Sequence, residues 1–452
     1  MTIGNKLRLL WHFVYTRWWL RHLNPQALAR RQQRQLTRFI RKIGRYGAFR
    51  DTPEPERNVS IATMLASLPT SDKNTLLAQF DQYNIAAINI QHALSVAQQA
   101  EATRDFTPGI GELSVGLSSG TSGRPGVFLV SEHEQARWAG ILLAKLLPAQ
   151  LLLQILFFWR APLRIAFFLR ADSNLYQTLN TRRIDFRFFD LTKPLWDQCA
   201  NLDEFSPQVV VAPASVLHQL CEWQQQGKLS IAPTDIVSVA EVLDENVRAL
   251  ISKVFPAASL RQIYQATEGF LGYSCEAGGL HLNETHLIIE RQWIDEEKTR
   301  FHPVITDFSR ESQAIVRYRL DDILLARATP CSCGRAESTI AGIEGRADEV
   351  LYATCREHGT IKPLFPDTVR QHLLAFNPPL QDYRIIQELD RWLIQLTESD
   401  QQHFPALAAH LQILFRTHAL EAPSLTLQIW TAGKPGDKVR RLLFRGHHAN
   451  GA

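Results

Sequence analysis

Between residues 160 and 265 the chain carries five short apolar runs: Ile165–Leu169, Ile184–Phe189, Val209–Ala212, Ile236–Val239 and Leu260–Tyr264. Stretches with helical spacing separate most of them, including Ser215–Gln226 and Asn246–Phe255. Strands alternating with helices predict an α/β domain built on a largely parallel sheet. Two more strands, Leu113–Leu117 and Gly126–Ser131, flank a Gly-rich turn, and a helix from Glu132 to about Leu146 follows. Residues 280 to 345 read as antiparallel strands and turns.

The flanks differ from this centre. Residues 1 to about 100 read as helical, with Leu28, Leu36, Phe39 and Ile40 supplying one apolar stripe and Thr70 or Ser71 placed to cap a helix through Phe80. From about Gly345 the order is strand, helix, strand, strand, helix, strand, which predicts a small ferredoxin-like α+β domain. The expected layout is a basic helical region over 1–100 packed on the large domain, an α/β core over 101–346, and a C-terminal α+β domain over 347–452.

Charge is distributed unevenly. Lys plus Arg is 49 and Asp plus Glu is 45, a net +4. Residues 1–50 hold twelve Lys/Arg and no acid, so the rest of the chain stands at 37 − 45 = −8. Trp11, Phe13, Tyr15, Trp18 and Trp19 lie in the same basic segment. One reading is docking to an acidic carrier protein, nucleic acid or a membrane surface. The plainer reading, which we expect, is a helical cap whose aromatics pack on the body. Nucleic acid is not expected as a partner. Six Cys in 452 residues are too sparse for a disulfide scaffold. The most apolar stretch, Leu146–Trp159, falls short of the roughly 20 residues a spanning helix needs. The N-terminus lacks a clean apolar core and cleavage site. The expectation is a cytoplasmic protein with reduced thiols.

The strongest local signal is Ser118-Ser119-Gly120-Thr121-Ser122-Gly123-Arg124-Pro125-Gly126. Its glycines and hydroxyls can offer many N–H and O–H donors to phosphate oxygens. It is not a Walker A loop, and an ordinary hairpin loop is the duller alternative.

This segment resembles the first core motif of the adenylate-forming (ANL) superfamily. Four more segments resemble that superfamily's motifs in the right order: Tyr264–Gly269, Arg317–Asp322, Gly345–Asp348 and Gly436–Arg441. The combination of Arg317-Tyr318-Arg319 with Cys331-Ser332-Cys333-Gly334-Arg335 and Gly345-Arg346-Ala347-Asp348 is similar to the phenylacetate–CoA ligase branch, including coenzyme F390 synthetase-like proteins.

The resemblance implies an enzyme that uses ATP and Mg²⁺ to join a carboxylic acid to AMP. Ser118, Ser119, Gly120, Thr121, Ser122, Gly123 and Arg124 are then expected to hold the β- and γ-phosphates. Thr267 is expected at the α-phosphate, Glu268 at Mg²⁺, Tyr264 against adenine, and Asp322 on the ribose hydroxyls. Arg346 assists at ribose or phosphate, and Lys438 reaches the α-phosphate and carboxylate, with Lys434 also in reach. Asp348 is the expected hinge of the C-terminal domain. Duller roles exist for each: Tyr264 as a core aromatic, Glu268 and Asp322 as surface acids, Lys438 as one base in a solvated tail. The sequence departs from the motifs at Arg124, where Lys is common, and at Leu320-Asp321, which replaces Thr-Gly.

Cys275-x₅-His281 and Cys331-x-Cys333 supply four candidate zinc ligands. Glycines beside both pairs allow turns that bring them together, and three Cys with one His form a closed structural zinc set. Related phenylacetate–CoA ligase-like proteins share this arrangement. The alternative is four unconnected side chains. Cys199, Cys221 and Cys355 read as packing residues.

The expected activity is acyl-AMP formation followed by transfer to a thiol, either CoA or a carrier-protein phosphopantetheine. The acyl pocket is expected between Val211–Ser215 and Gly269–Gly272. The alternatives are nucleotidyl transfer from ATP to a cofactor hydroxyl, as in coenzyme F390 synthetase, and a zinc-stabilised binding protein without catalysis.

Overall fold

The computed structural model describes residues 2–55, 59–103, 105, 108–117, 126–157, 159–169, 181–378, 380, 382–389, 391–429 and 440–445. The chain divides into two compact units. The first comprises residues 1–320 and 325–342; the second comprises 321–324 and 343–452.

The five expected strands of the first unit form one parallel array. Its order is Ile184–Asp190, Leu163–Leu169, Val209–Ala212, Asp235–Ser238, Ser259–Ala266. Alternate residues of the same strands feed two cores. Phe168, Val210 and Ile236 pack beneath Leu217, Leu220, Val247 and Ile251 of the helices Ala214–Gln225 and Glu245–Val254. Phe167, Val209, Val211 and Val237 pack with Ile141 and Leu151 of the helices Glu132–Leu146 and Ala149–Leu156. A parallel sheet covered on both faces explains why the central strand Val209–Ala212 is apolar and buried at every residue.

After Ser259–Ala266 the chain turns back, and the sheet continues antiparallel through Gly269–Ser274 and Leu280–Leu282. Leu287–Trp293 pairs with Arg300–Asp307, as expected for this antiparallel region. Leu113–Leu117 and Val127–Ser131 pair with each other in a separate three-stranded antiparallel sheet, outside the parallel array. The short link between them favours a hairpin over a crossover.

The helix Glu132–Leu146 opens with a capping box, Ser131 with Glu134. Glu134 is buried and also accepts from the backbone N–H of Glu311 (2.6 Å) and Ser312 (3.1 Å). One carboxylate therefore starts a helix and fixes a distant loop. The helix Pro25–Ile43 packs Leu36, Phe39, Ile40 and Ile43 against Ile288, Phe308 and Val316. The helix expected to start at Thr70 or Ser71 is the short Lys73–Ala78, capped by Asp72, whose Oδ1 accepts from Thr75 N at 2.8 Å. Ser71 is buried and donates to the Val316 carbonyl. Asp72 wins the cap because its acceptor faces the helix while the Ser71 hydroxyl is engaged elsewhere.

The second unit is α+β. Tyr383–Glu388 and Arg391–Leu396 form an antiparallel hairpin, and Ser424–Ile429 and Leu442–Phe444 add parallel to either side. Leu411, Leu414 and Phe415 of the helix Phe404–Thr417 and Val369 of Pro366–Leu374 pack with Trp392 and Ile394 of this sheet. One strand departs from the ferredoxin-like order. Leu351–Thr354 pairs in its own hairpin with Ile361–Leu364, and Leu442–Phe444 takes the place beside Tyr383–Glu388. The turn at Arg356–His358 keeps the two hairpin strands local, which costs less chain entropy than pairing across the unit.

Candidate active site and metal centre

Thr267 and Glu268 are the two connecting residues of a tight hairpin, since Ala266 and Gly269 are the last paired residues of its strands. They therefore sit at the carboxyl end of the last parallel strand, where open α/β sheets bind ligands. Both line one pocket with Gly126, Lys73, Arg310, Gln313 and Tyr318. Gly126 ends the Ser/Gly-rich motif, and Tyr318 belongs to the Arg-Tyr-Arg segment. Three of the five motif segments thus converge on one recess of the first unit.

Ser118, Ser119, Gly120, Thr121, Ser122, Gly123 and Arg124 lie outside the described residues, as do Lys434 and Lys438. Tyr264 is only 5% exposed, so stacking on adenine requires more of its ring to be uncovered. Val211, Ala212, Ala214, Phe270 and Gly272, expected around an acyl pocket, are buried; Val211 and Phe270 belong to the core beneath the sheet. Arg317 is structural. It forks onto Glu290 with two 3.0 Å bonds and donates to the Leu68 carbonyl at 2.9 Å.

Arg310 had no signal in the sequence beyond being one base among polar residues. It is fully buried and lies over the Trp138 ring at 5.1 Å. Its Nη2 donates to Gln313 (3.1 Å) and to the Leu129 carbonyl (3.4 Å). Its Nε and Nη1 find no hydrogen-bond partner among the described residues. A buried guanidinium with two open donors in the wall of this pocket is suited to an anion.

Asp322, Arg346 and Asp348 come together in the second unit. Arg346 stands 3.5 Å from Asp321, 3.8 Å from Asp322 and 3.4 Å from Asp348. Burial opposes its charge, but Asp322, Asp348 and Asp321 outweigh that and hold its pKa above the ordinary value. Asp348 also takes Arg440 at 2.8 Å.

The four candidate zinc ligands converge. The ligand atoms of Cys275, His281, Cys331 and Cys333 all lie within 4.8 Å of one another. The Cys275 and Cys331 sulfurs are 3.5 Å apart, and Cys333 Sγ is 3.2 Å from His281 Nε2. A tetrahedral zinc with Zn–S bonds of about 2.3 Å spaces its sulfurs by about 3.8 Å, so these separations fit one ion. His281 Nδ1 lies 2.9 Å from the Glu337 carbonyl, which selects the tautomer with Nε2 free to ligate. Gly279 is required here: a Cβ on it would lie 2.7 Å from Cys331 Sγ. Burial and the Cys331 thiol push Cys275 up to about 11 without an ion, and burial lowers the His281 pKa.

Behind this cluster lies a polar network the sequence did not reveal. Lys145 donates to both oxygens of Glu337 at 2.8 and 2.9 Å, and to Thr285 and Tyr273. Burial alone would raise the Glu337 pKa; Lys145, Thr285 and Tyr273 outweigh it and bring it down. The one signal was Lys145 itself, a lone charge in an apolar stretch. Lys145→Met leaves the Glu337 carboxylate buried without its cation, held by Thr285 and Tyr273. We expect a loss of about 3–5 kcal/mol in urea unfolding, most of it recovered in Lys145→Met/Glu337→Leu. A loss below about 1 kcal/mol would show the pair contributes little.

No family model matches the chain, and no curated protein matches it. Solved structures do. The chain shares the fold of 2-hydroxyisobutyryl-CoA ligase. The chain superposes on 2-hydroxyisobutyryl-CoA ligase in the postadenylation state with R3-HIB-AMP at a TM-score of 0.62 and 17% identity, covering 93% of this chain and 89% of that one. The same ligase with 2-HIB-AMP gives 0.62 and 18% over the same shares. Its open conformation with 2-HIB-AMP and CoA gives 0.53 and 16%, over 93% and 91%. Among the described residues no helix is long and apolar enough to cross a membrane.

Proposed function

We propose that the protein activates a carboxylic acid as acyl-AMP and passes the acyl group to a thiol, either CoA or a carrier-protein phosphopantetheine. One observation carries this reading: Gly126 at the end of the Ser/Gly-rich motif, the Thr267-Glu268 hairpin and Tyr318 line one pocket. The fold of a ligase crystallised with acyl-AMP supports it.

In this reading a carboxylate oxygen attacks the α-phosphorus of ATP and pyrophosphate leaves. A thiolate then attacks the acyl carbon and AMP leaves. Positioning and charge neutralisation supply most of the catalysis. The 118–124 residues and Arg310 neutralise the departing phosphates, and Thr267 donates to the α-phosphate. Mg²⁺, held by Glu268, supplies further charge neutralisation there. Asp322 accepts from the ribose hydroxyls, Arg346 orients Asp322, and Lys438 stabilises charge on the reacting oxygens. Asp348 is the hinge through which the second unit changes role between the half-reactions. Cys275, His281, Cys331 and Cys333 hold a structural zinc. The combination of Arg317–Asp322, Cys331–Arg335 and Gly345–Asp348 is the ground for placing the chain near the phenylacetate–CoA ligase branch.

Pyrophosphate release with ATP and Mg²⁺ across aryl, hydroxy and fatty acids tests the reading. Release that depends on an acid supports it. Release that depends on a hydroxylated cofactor and on no acid favours nucleotidyl transfer. Arg310→Lys keeps the charge but loses the fork, so we expect the KM for ATP to rise roughly tenfold with folding intact. An unchanged KM would assign Arg310 to folding alone.

A further inference from the structure

The N-terminal helix is apolar on two opposite faces. Within Ile3–Val14, Asn5 and Phe13 are buried, and Leu9 on the same side is half-buried. A Cβ on Gly140 would lie 2.4 Å from the Leu9 carbonyl, so Gly140 lets this helix seat closely on Glu132–Leu146. Polar bonds fix the seat. Asn5 donates to Glu132 at 2.8 Å, Thr16 meets His286 at 3.1 Å, and Arg17 donates to the Leu147 carbonyl at 2.7 Å.

The opposite face points away from the body. At about 100° per residue, Ile3, Leu7, Leu10 and Trp11 fall in one sector about 100° wide. Their exposures are 79, 62, 54 and 61%, and Trp18 and Trp19 follow at 49 and 59%. This corrects the expectation that the aromatics of this segment pack on the body: Phe13 does, and the three Trp do not. Large apolar residues exposed together mark an interaction surface. Exposed Lys6 and Arg8 flank the stripe, and the next helix exposes Arg30, Arg34, Arg38 and Arg41.

We propose that this face docks on an anionic lipid bilayer, with the stripe set into the interface and the bases against the headgroups. Charge complementarity selects the occupant. Residues 1–50 carry twelve bases and no acid, so a second copy would set like charge against like charge. Trp at the stripe suits the bilayer interface, where one end of the ring is wet and the other apolar. The helix is of the kind that lies in the interface plane.

The test is flotation of the full chain with vesicles of phosphatidylcholine alone and of phosphatidylcholine with about 30% phosphatidylglycerol. We expect binding to the anionic vesicles only, a blue shift of Trp emission, and release as salt rises. Leu7→Gln/Trp11→Gln removes exposed apolar area and the Trp11 stack on Tyr15, and should lower the bound fraction roughly tenfold with little change in Tm. Arg30→Glu/Arg34→Glu on the neighbouring helix should lower it as well. No binding at low salt, equal binding to both vesicle types, or binding unchanged by Leu7→Gln/Trp11→Gln would each overturn the proposal. So would a dimer that this variant converts to monomer, or an acidic carrier protein that binds this face in place of the vesicles.

Discussion

Glu268→Gln should lower acid-dependent pyrophosphate release by roughly 10²–10³-fold while leaving the unfolding transition where it was. The side chain keeps its size and loses its charge. A hard cation among phosphate oxygens prefers a carboxylate, and a neutral amide oxygen holds it poorly. Glu268 is half-buried at a hairpin tip and lies outside the apolar core, so the hairpin should survive the change. That separates chemistry from folding: a residue serving only the turn would lose neither rate nor stability. Raising Mg²⁺ should restore part of the rate in the variant and little in the wild type. Rates within about threefold of wild type at limiting Mg²⁺ would remove Glu268 from the site.

Cys331→Ser should abolish zinc binding and lower the melting temperature by about 5 °C. The argument is one of linkage. An ion held by the folded cluster and not by the unfolded chain contributes about 4 kcal/mol when present at a thousand times its Kd. Cys331 is half-buried, so its replacement leaves no large cavity and the loss reports the ion. Metal analysis of the purified protein should find about one zinc per chain, and none in the variant. Chelation of the wild type should reproduce the variant's melting temperature. No zinc in the wild type, or a melting temperature unmoved by its removal, would mean the four side chains meet for packing alone.

The parallel sheet was legible because its strands are buried on both faces and advertise themselves as apolar runs, Val209–Ala212 most plainly. The meeting of Cys275, His281, Cys331 and Cys333 was legible because glycines beside both pairs allow turns that bring them together. The first strand of the C-terminal unit was less so. Leu351–Thr354 has the composition of a sheet strand, but its partner Ile361–Leu364 is largely exposed and carries no apolar alternation to announce the hairpin. Arg310 and the Lys145–Glu337 pair were hidden for a different reason. Their significance is burial, which the sequence hints at only for Lys145, a lone charge in an apolar stretch. The N-terminal helix was half legible: its Trp and bases stood out, but which face meets the body depends on Gly140 and Asn5, whose role is visible only in three dimensions.

The central claim is that a carboxylate oxygen becomes bonded to the α-phosphorus of ATP. The direct measurement supplies the activated acid labelled with ¹⁸O in its carboxyl group, with ATP and an acceptor thiol, and weighs the AMP released. Acyl-AMP formation puts one labelled oxygen between the acyl carbon and phosphorus, and thiol attack at the acyl carbon leaves it on the phosphate. AMP heavier by one ¹⁸O is the predicted result. AMP without label, or a nucleotidylated product in its place, would contradict the account.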